Sequence, residues 1–328
     1  MSTINTDVFI IGGGPAGMFA AFNCGLLGMR AVLVECLSSL GGQCMQVYKD
    51  KLIHDIPGFA KIKAGDFIHH LEEQLNQFSC ISYIFSQQIT NIQKVEAGFQ
   101  AIINDITVIS KKVIFATGAG KMIPNKPNLP NLNPLERLGH VKYFIEKLEI
   151  FKDKVIAVLG GGDSAGDWCL SLVPYASKVF LIHRRQTLRI AKSVYNQITA
   201  SGICETLLST EVTDLQVLHN SDMIEISHTN GKIEVDYVVP CYGMSPEPSF
   251  VNDIGLKLDN RDRIIVNPTT CESDVNSMYA IGEACSYDWK RCLISVGMAE
   301  AVKAVYHAHS QLHPDAEVKY STSILGSD

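Results

Sequence analysis

No two of the ten cysteines stand in CxxC spacing, and no histidine falls in an HExxH or comparable ligand pattern. Local spacing therefore offers neither a zinc site nor a thiol relay. Basic residues are in no surplus: 28 Lys and Arg face 34 Asp and Glu, a net charge of −6. That balance excludes a surface that attracts nucleic acid or an anionic membrane as a whole. Charged residues make up only 19% of the chain against 46% hydrophobic, so 328 residues should pack rather than stay disordered, with length enough for two domains. The scattered cysteines are expected to be reduced and mostly buried as small hydrophobes. His69, His70, His307 and His309 are expected on helix surfaces.

Charge is also missing from the whole run Val8 to Met29, which is as long as a membrane span. Six glycines, Pro15 and Asn23 interrupt it, and the preceding MSTINTD has no basic residue of a secretory leader. The run reads as a buried strand, a turn and a helix, in a protein expected to be cytoplasmic.

What is present explains the pattern. The apolar strand Val8-Phe9-Ile10-Ile11 enters Gly12-Gly13-Gly14-Pro15-Ala16-Gly17, then a helix-length segment, then Ala31-Val32-Leu33-Val34 ending in Glu35. This is a dinucleotide-binding fingerprint in α/β context. Gly12 permits the tight turn, Gly14 lets backbone approach a pyrophosphate, Gly17 lets helix and strand pack closely, and Glu35 is placed to accept hydrogen bonds from a ribose. The strand Lys112–Phe115 and its turn Ala116-Thr117-Gly118 can pass under the same nucleotide. Near the C-terminus, Met278–Gly282 places Glu283 at a strand end ahead of a helix from about Ser295 to Gln311. A carboxylate there could bind the ribityl chain of FAD.

The spacing repeats in Val155–Leu159, Gly160-Gly161-Gly162-Asp163-Ser164-Ala165 and the strand Val179–Ile182. Here the residue equivalent to Glu35 is His183, followed by Arg184 and Arg185, with Arg189 in the same site. Loss of the carboxylate removes repulsion of a 2′-phosphate, and guanidiniums grip such a phosphate by charge-assisted hydrogen bonds. The second site is expected to prefer NADPH to NADH.

GGGPAG, Gly41-Gly42-Gln43, the Ala116-Thr117-Gly118 turn, GGGDSA, His183-Arg184-Arg185 and the late Gly282-Glu283 together resemble the thioredoxin-reductase-like flavoproteins over the whole chain. Within them, GGQ followed by Tyr48 and by Asp55-Ile56-Pro57-Gly58-Phe59, with the tail Tyr320-Ser321-Thr322-Ser323, looks most like the bacterial ferredoxin–NADP reductases of that type. The resemblance implies two Rossmann-like dinucleotide-binding domains: FAD on residues 1–117 and 243–328, and NADP on the inserted residues 118–242. It also implies FAD contacts for Gln43 near the isoalloxazine, Tyr48 on one ring face, Ile89 and Met122 on the adenine side, Glu283 at the ribityl or phosphate region, Thr322 capping the ring and Tyr320 on the second face. Glu283 departs from the Asp usual in the family.

Thioredoxin reductases carry a CxxC upstream of the second glycine motif, where this chain reads Tyr143-Phe144-Ile145-Glu146-Lys147-Leu148. The glutathione-reductase type carries Cys-x4-Cys after the GG pair, where this chain has Cys44 but Lys49. One thiol makes no relay. The implied reaction is hydride transfer between NADPH and flavin N5, coupled to single-electron steps with ferredoxin or flavodoxin, and no acid or base catalyst is assigned. The resemblance also implies a homodimer, while Lys49, Lys51, Lys61 and Lys63 are candidates for docking an acidic carrier. Two alternatives stay open: a reductase of a small disulfide or quinone, and a flavin-binding regulatory protein.

Overall fold

In the computed structural model, which describes residues 2–89, 91–120, 122–144, 147–218, 223–246 and 254–317, the uncharged N-terminal run divides into the strand Ser2–Ile11, the glycine turn and the helix Pro15–Leu26. This helix has no polar face: Met18, Ala20, Ala21 and Cys24 are fully buried. Its one buried polar side chain, Asn23, is satisfied within the helix by donating to the Phe19 carbonyl at 2.7 Å. The hydropathy of the run thus reflects burial on several sides within protein. Among the described residues no helix is long and apolar enough to cross a membrane.

The chain divides into two compact units, one of residues 1–121 and 246–328 and the other of 122–245. In the first, parallel strands run in the order Ile81–Ile84, Ala31–Val34, Ser2–Ile11, Ile106–Phe115. The late strand Met278–Ala280 also joins Ile106–Phe115, on its C-terminal half. The first half of Ile106–Phe115 instead pairs antiparallel with Gly98–Ile103, which pairs with Asn91–Val95. Side-chain alternation puts Val8, Ile10, Ala31 and Leu33 on one face, against the helices Pro15–Leu26, Ala64–Leu75 and Ile294–Leu312. Phe9, Ile11, Val32 and Val34 face the other way, with the antiparallel strands.

The second unit repeats the plan at smaller scale. Its parallel sheet has the order Cys204–Leu207, Lys178–Ile182, Val155–Leu159, Tyr237–Pro240. An antiparallel sheet of Val212–Val217, Ile224–His228 and Gly231–Val235 covers one side. The helices Asp163–Leu172 and Lys192–Ala200 contribute to the core on the other.

Two histidines depart from the surface positions expected of them. His69 and His70 are exposed, but His309 is buried and His307 is partly buried, with its Nδ1 3.1 Å from the Tyr279 hydroxyl. The last helix is enclosed on more than one side, because it packs against both Pro15–Leu26 and the Gly282 turn. Its outward stripe runs through Ala299, Lys303 and Ser310, which leaves His309 on the packed side and His307 at its margin.

Candidate dinucleotide sites

The first glycine turn is locked by backbone that arrives from elsewhere in the unit. Gly12 has φ +107°, and a Cβ added there would lie 2.4 Å from the Ala116 carbonyl oxygen. Ala116 reaches that position because its N–H donates to Ile11 at 2.8 Å, extending the strand Ile106–Phe115. A Cβ on Gly17 would lie 1.9 Å from the Gly12 carbonyl oxygen, so the helix can begin under the turn only with glycine there. Gly14, by contrast, has nothing within 4 Å of a Cβ position. No side chain caps the helix at Gly14 and no acid sits in its first turn. The helix N-terminus therefore presents its N–H groups and positive dipole end to open space, and Pro15 removes a donor only where none is needed. A pyrophosphate fits this cradle.

Glu35 is buried and works on the protein before any ribose arrives. Its Oε2 accepts from the Gly13 N–H at 2.7 Å and its Oε1 from the Leu37 N–H at 2.9 Å. Oε1 also accepts from the Cys36 thiol at 3.2 Å, so it is Oε2 that keeps lone-pair capacity for a ribose hydroxyl. The Gly41-Gly42 loop docks on the same turn: the Gly41 N–H donates to Gly13 at 2.8 Å. Gly42, at φ +50°, leaves room of only 3.1 Å between an added Cβ and Gly14 Cα. Gln43 opens the one-turn helix Gln43–Gln46, and its Nε2 lies 3.9 Å from a Cβ position at Gly118.

Cys44 and Tyr48 follow on one face of that turn, with Sγ and OH 3.4 Å apart. Burial pushes the Cys44 thiol up from its ordinary value, so the sulfur is a thiol, not a thiolate nucleophile. Burial, the Cys44 contact and the charges of Glu283 and Asp55 push the half-buried Tyr48 hydroxyl up. Tyr48 is a neutral phenol beside a carboxylate. Glu283 itself is exposed, in the short turn Gly282–Ala284. That turn abuts the first helix: an added Cβ on Gly282 or on Gly297 would lie 3.3 Å from the Ala16 side chain.

Gly12, Gly14, Pro15, Gly17, Glu35, Gly42, Gln43, Tyr48, Ala116 and Glu283 thus converge on one end of the parallel strands. Ile89 presents its side chain to the core beside Ile84 and Ile92, leaving its backbone for any nucleotide contact. Met122 opens the second unit, and its side chain lies outside the described residues, as do Tyr320 and Thr322 entirely.

The second glycine turn uses the same lock with different parts. An added Cβ on Gly160 would lie 2.7 Å from the Cys241 carbonyl oxygen, and Cys241 is placed by donating to Leu159 at 2.7 Å. Gly162 is open, and the helix Asp163–Leu172 starts there with no side-chain cap. Asp163 and Ser164 are exposed, whereas Ala165 is buried where the first turn needs Gly17.

His183 replaces the carboxylate with a flat ring whose atoms lie 2.5 Å from a Cβ position on Gly161. Burial, then the charges of Arg185, Arg184 and Arg189, hold its imidazole below its ordinary value. The ring is therefore neutral near pH 7. The loop after it folds back onto the turn, the Arg189 N–H donating to the Gly161 carbonyl at 2.7 Å. Arg184, Arg185 and Arg189 are exposed, and among the described residues no carboxylate forms an ion pair with them. Three free guanidiniums at the end of the strand Lys178–Ile182 suit a phosphate ester.

A cluster that sequence reading missed lies under the Gly282 turn, where the Tyr287 hydroxyl and Lys290 Nζ both donate to Glu300. Glu300 falls on the same stripe of the last helix as buried Gly297, Ala301 and Ala304. A charged residue on an otherwise small and apolar stripe is the sequence signal by which it could be found.

The profile described as pyridine nucleotide-disulphide oxidoreductase matches residues 6–311. A protein of Granulibacter bethesdensis named ferredoxin–NADP reductase is 36% identical over 330 residues, covering 98% of this chain and 94% of its own. A protein of the same name from Rickettsia bellii is 36% identical over 319 residues, covering 94% of each chain. Among solved structures, a thioredoxin reductase of T. acidophilum superposes with a TM-score of 0.73 at 22% identity, over 94% of this chain and 99% of that one, which speaks for the fold. The chain belongs to the pyridine nucleotide-disulphide oxidoreductase family, with the fold seen in thioredoxin reductases and a likeness to the ferredoxin–NADP reductases over nearly its full length.

Proposed function

We propose that the protein is an FAD-dependent ferredoxin–NADP reductase that moves electrons between NADPH and ferredoxin or flavodoxin without a redox disulfide. The observation that carries this reading is the pair of glycine turns with opposite selectivity groups. One is closed by the Glu35 carboxylate, and the other by a neutral His183 with three exposed arginines. FAD occupies the first site, on residues 1–117 and 243–328. NADPH occupies the second, on residues 118–242. The curated relatives that match over nearly the whole chain carry the name of this activity.

When bound, FAD supplies hydride chemistry at N5 and single-electron exchange with the carrier. The protein's part is position and electrostatics. Gly12, Gly14 and Gly17 bring backbone N–H groups to the pyrophosphate, and Glu35 both braces the turn and accepts from the ribose. Gln43 and the neutral Tyr48 line the ring, with Tyr320 and Thr322 completing it from the tail. Ile89 and Met122 lie toward the adenine, and Glu283 toward the ribityl chain. In the second site Gly160, Gly162 and Ser164 meet the phosphates, while Arg184, Arg185 and Arg189 hold the 2′-phosphate. Cys44 is a packing residue: it is buried and held as a thiol, and Lys49 stands where a partner thiol would be needed.

The acidic carrier docks on a local positive surface, for which Lys49, Lys51, Lys61 and Lys63 are all exposed, with Val47, Leu52 and Phe59 exposed among them. The enzyme works in the cytoplasm as a homodimer, a reading that rests on the family likeness. Purified protein is expected to be yellow, to release FAD and not FMN on denaturation, and to bleach on anaerobic addition of NADPH far faster than with NADH. Release of FMN, or no bleaching with NADPH, would sink this assignment.

A further inference from the structure

Glu300 is 1% exposed and Lys290 2% exposed at the side chain, and the two form an ion pair inside the first unit. Removing both charges from water costs about as much as their attraction returns, so an apolar pair of the same volume would hold the fold as well. The pair is thus poorly explained by stability. What it provides that an apolar pair cannot is an acceptor beneath the Gly282 turn. Glu300 Oε2 lies 2.8 Å from the Gly282 N–H, a donor that would otherwise be left without a partner at a left-handed residue of φ +67°. The other oxygen, Oε1, accepts from the Tyr287 hydroxyl at 2.6 Å and from Lys290 Nζ. Lys290 Nζ also lies 5.6 Å from the Tyr287 ring centroid. Cys285 closes the cluster, its Sγ 3.3 Å from the Gly282 carbonyl and 3.5 Å from Glu300 Oε2.

Gly282 is held from above as well, between Ala16 at the start of the first helix and Gly297 in the last, where a Cβ on Gly297 would stand 3.1 Å from Gly282 Cα. The next residue, Glu283, is near enough for its charge to act on Tyr48. In the loop that supplies Tyr287 and Lys290, Trp289 is 87% exposed at a left-handed φ of +65°, while the Tyr287 ring packs against the core and Lys290 reaches inward to Glu300.

We propose that Glu300, oriented by Lys290 and Tyr287, is a positioning residue for the FAD site: it fixes the Gly282 amide, and through it the Gly282–Ala284 turn that presents Glu283 and the start of the last helix to the cofactor. The proposal rests on the reading that this turn faces FAD. Two charge-free double variants separate the acceptor from the ion pair. Lys290→Met with Glu300→Gln keeps an oxygen for the Gly282 N–H, while Lys290→Met with Glu300→Leu keeps none. FAD affinity of each apoprotein, measured by flavin fluorescence, is expected to stay within about threefold of the parent for the first and to fall roughly tenfold or more for the second, as one buried hydrogen bond is lost. The second variant should also show a shifted flavin absorption spectrum, and NADPH affinity should be unchanged in both. Equal FAD affinity and spectra in the two double variants would overturn the proposal. On the unaltered holoprotein, hydrogen exchange offers a check that needs no variant: the Gly282 amide should be strongly protected, and exchange at the rate of an exposed loop would refute it. If the unaltered protein binds no FAD, the assignment of the site fails; if it binds FAD and the variants do not differ, only this inference fails.

Discussion

Replacing Arg184 and Arg185 together by alanine is expected to raise the Michaelis constant for NADPH by roughly a hundredfold while leaving that for NADH within about threefold. Each charge-assisted hydrogen bond is worth about 1.5–3 kcal/mol, and about 1.4 kcal/mol corresponds to a factor of ten. Because both guanidiniums are exposed, water screens them and the low end of that range applies. The loss should fall on the Michaelis constant rather than on turnover, since the 2′-phosphate is bound alike in ground and transition states. Steady-state kinetics with both nucleotides reads the result directly. A double variant that still prefers NADPH by the parental ratio would place 2′-phosphate recognition elsewhere.

Gly17→Ala is expected to yield protein that lacks FAD. The added methyl would sit 1.9 Å from the Gly12 carbonyl oxygen, a contact that backbone on both sides must move to relieve. Gly12 has little freedom to do so, since an added Cβ there already meets the Ala116 oxygen at 2.4 Å. Overpacking of this kind costs about 1–3 kcal/mol or more, and here the strain falls on the turn that cradles the pyrophosphate. The flavin-to-protein ratio after purification should drop at least tenfold, with a lower Tm. NADPH affinity should persist, because the second unit carries alanine at the same point of its motif, with Ala165 buried without such a clash. A fully flavinated Gly17→Ala protein would mean that the turn is not the phosphate site.

Much of this architecture was legible because it is written in local spacing. The unbroken apolar run Val8 to Ile11 marks a strand buried on both faces, and glycines at fixed offsets mark where backbone must pass close to backbone. The change from Glu35 to His183-Arg184-Arg185 marks a change in what the strand end can bind. The illegible parts are those that depend on chain segments far apart in sequence. Nothing near Gly160 announces that the Cys241 carbonyl lies over it, and nothing near Glu35 says that its carboxylate also braces Gly13. The antiparallel layers of Asn91–Ile103 and Val212–Val235 are short, half-exposed strands whose pairing is set by tertiary packing. The burial of Lys290 and His309 likewise follows from what packs against the last helix, and an exposed-looking polar residue gives no local sign of it.

Direct transfer from flavin to an external one-electron carrier is tested most directly by cytochrome c reduction with NADPH, with ferredoxin, flavodoxin or thioredoxin added in turn. Rapid reduction should require ferredoxin or flavodoxin, and thioredoxin should support none of it or of disulfide reduction. The Cys44→Ser variant should behave like the parent within a few-fold, since its thiol is buried and has no second cysteine to form a relay with. Thioredoxin-dependent turnover, or a Cys44→Ser protein that keeps its FAD but loses all activity, would contradict the account.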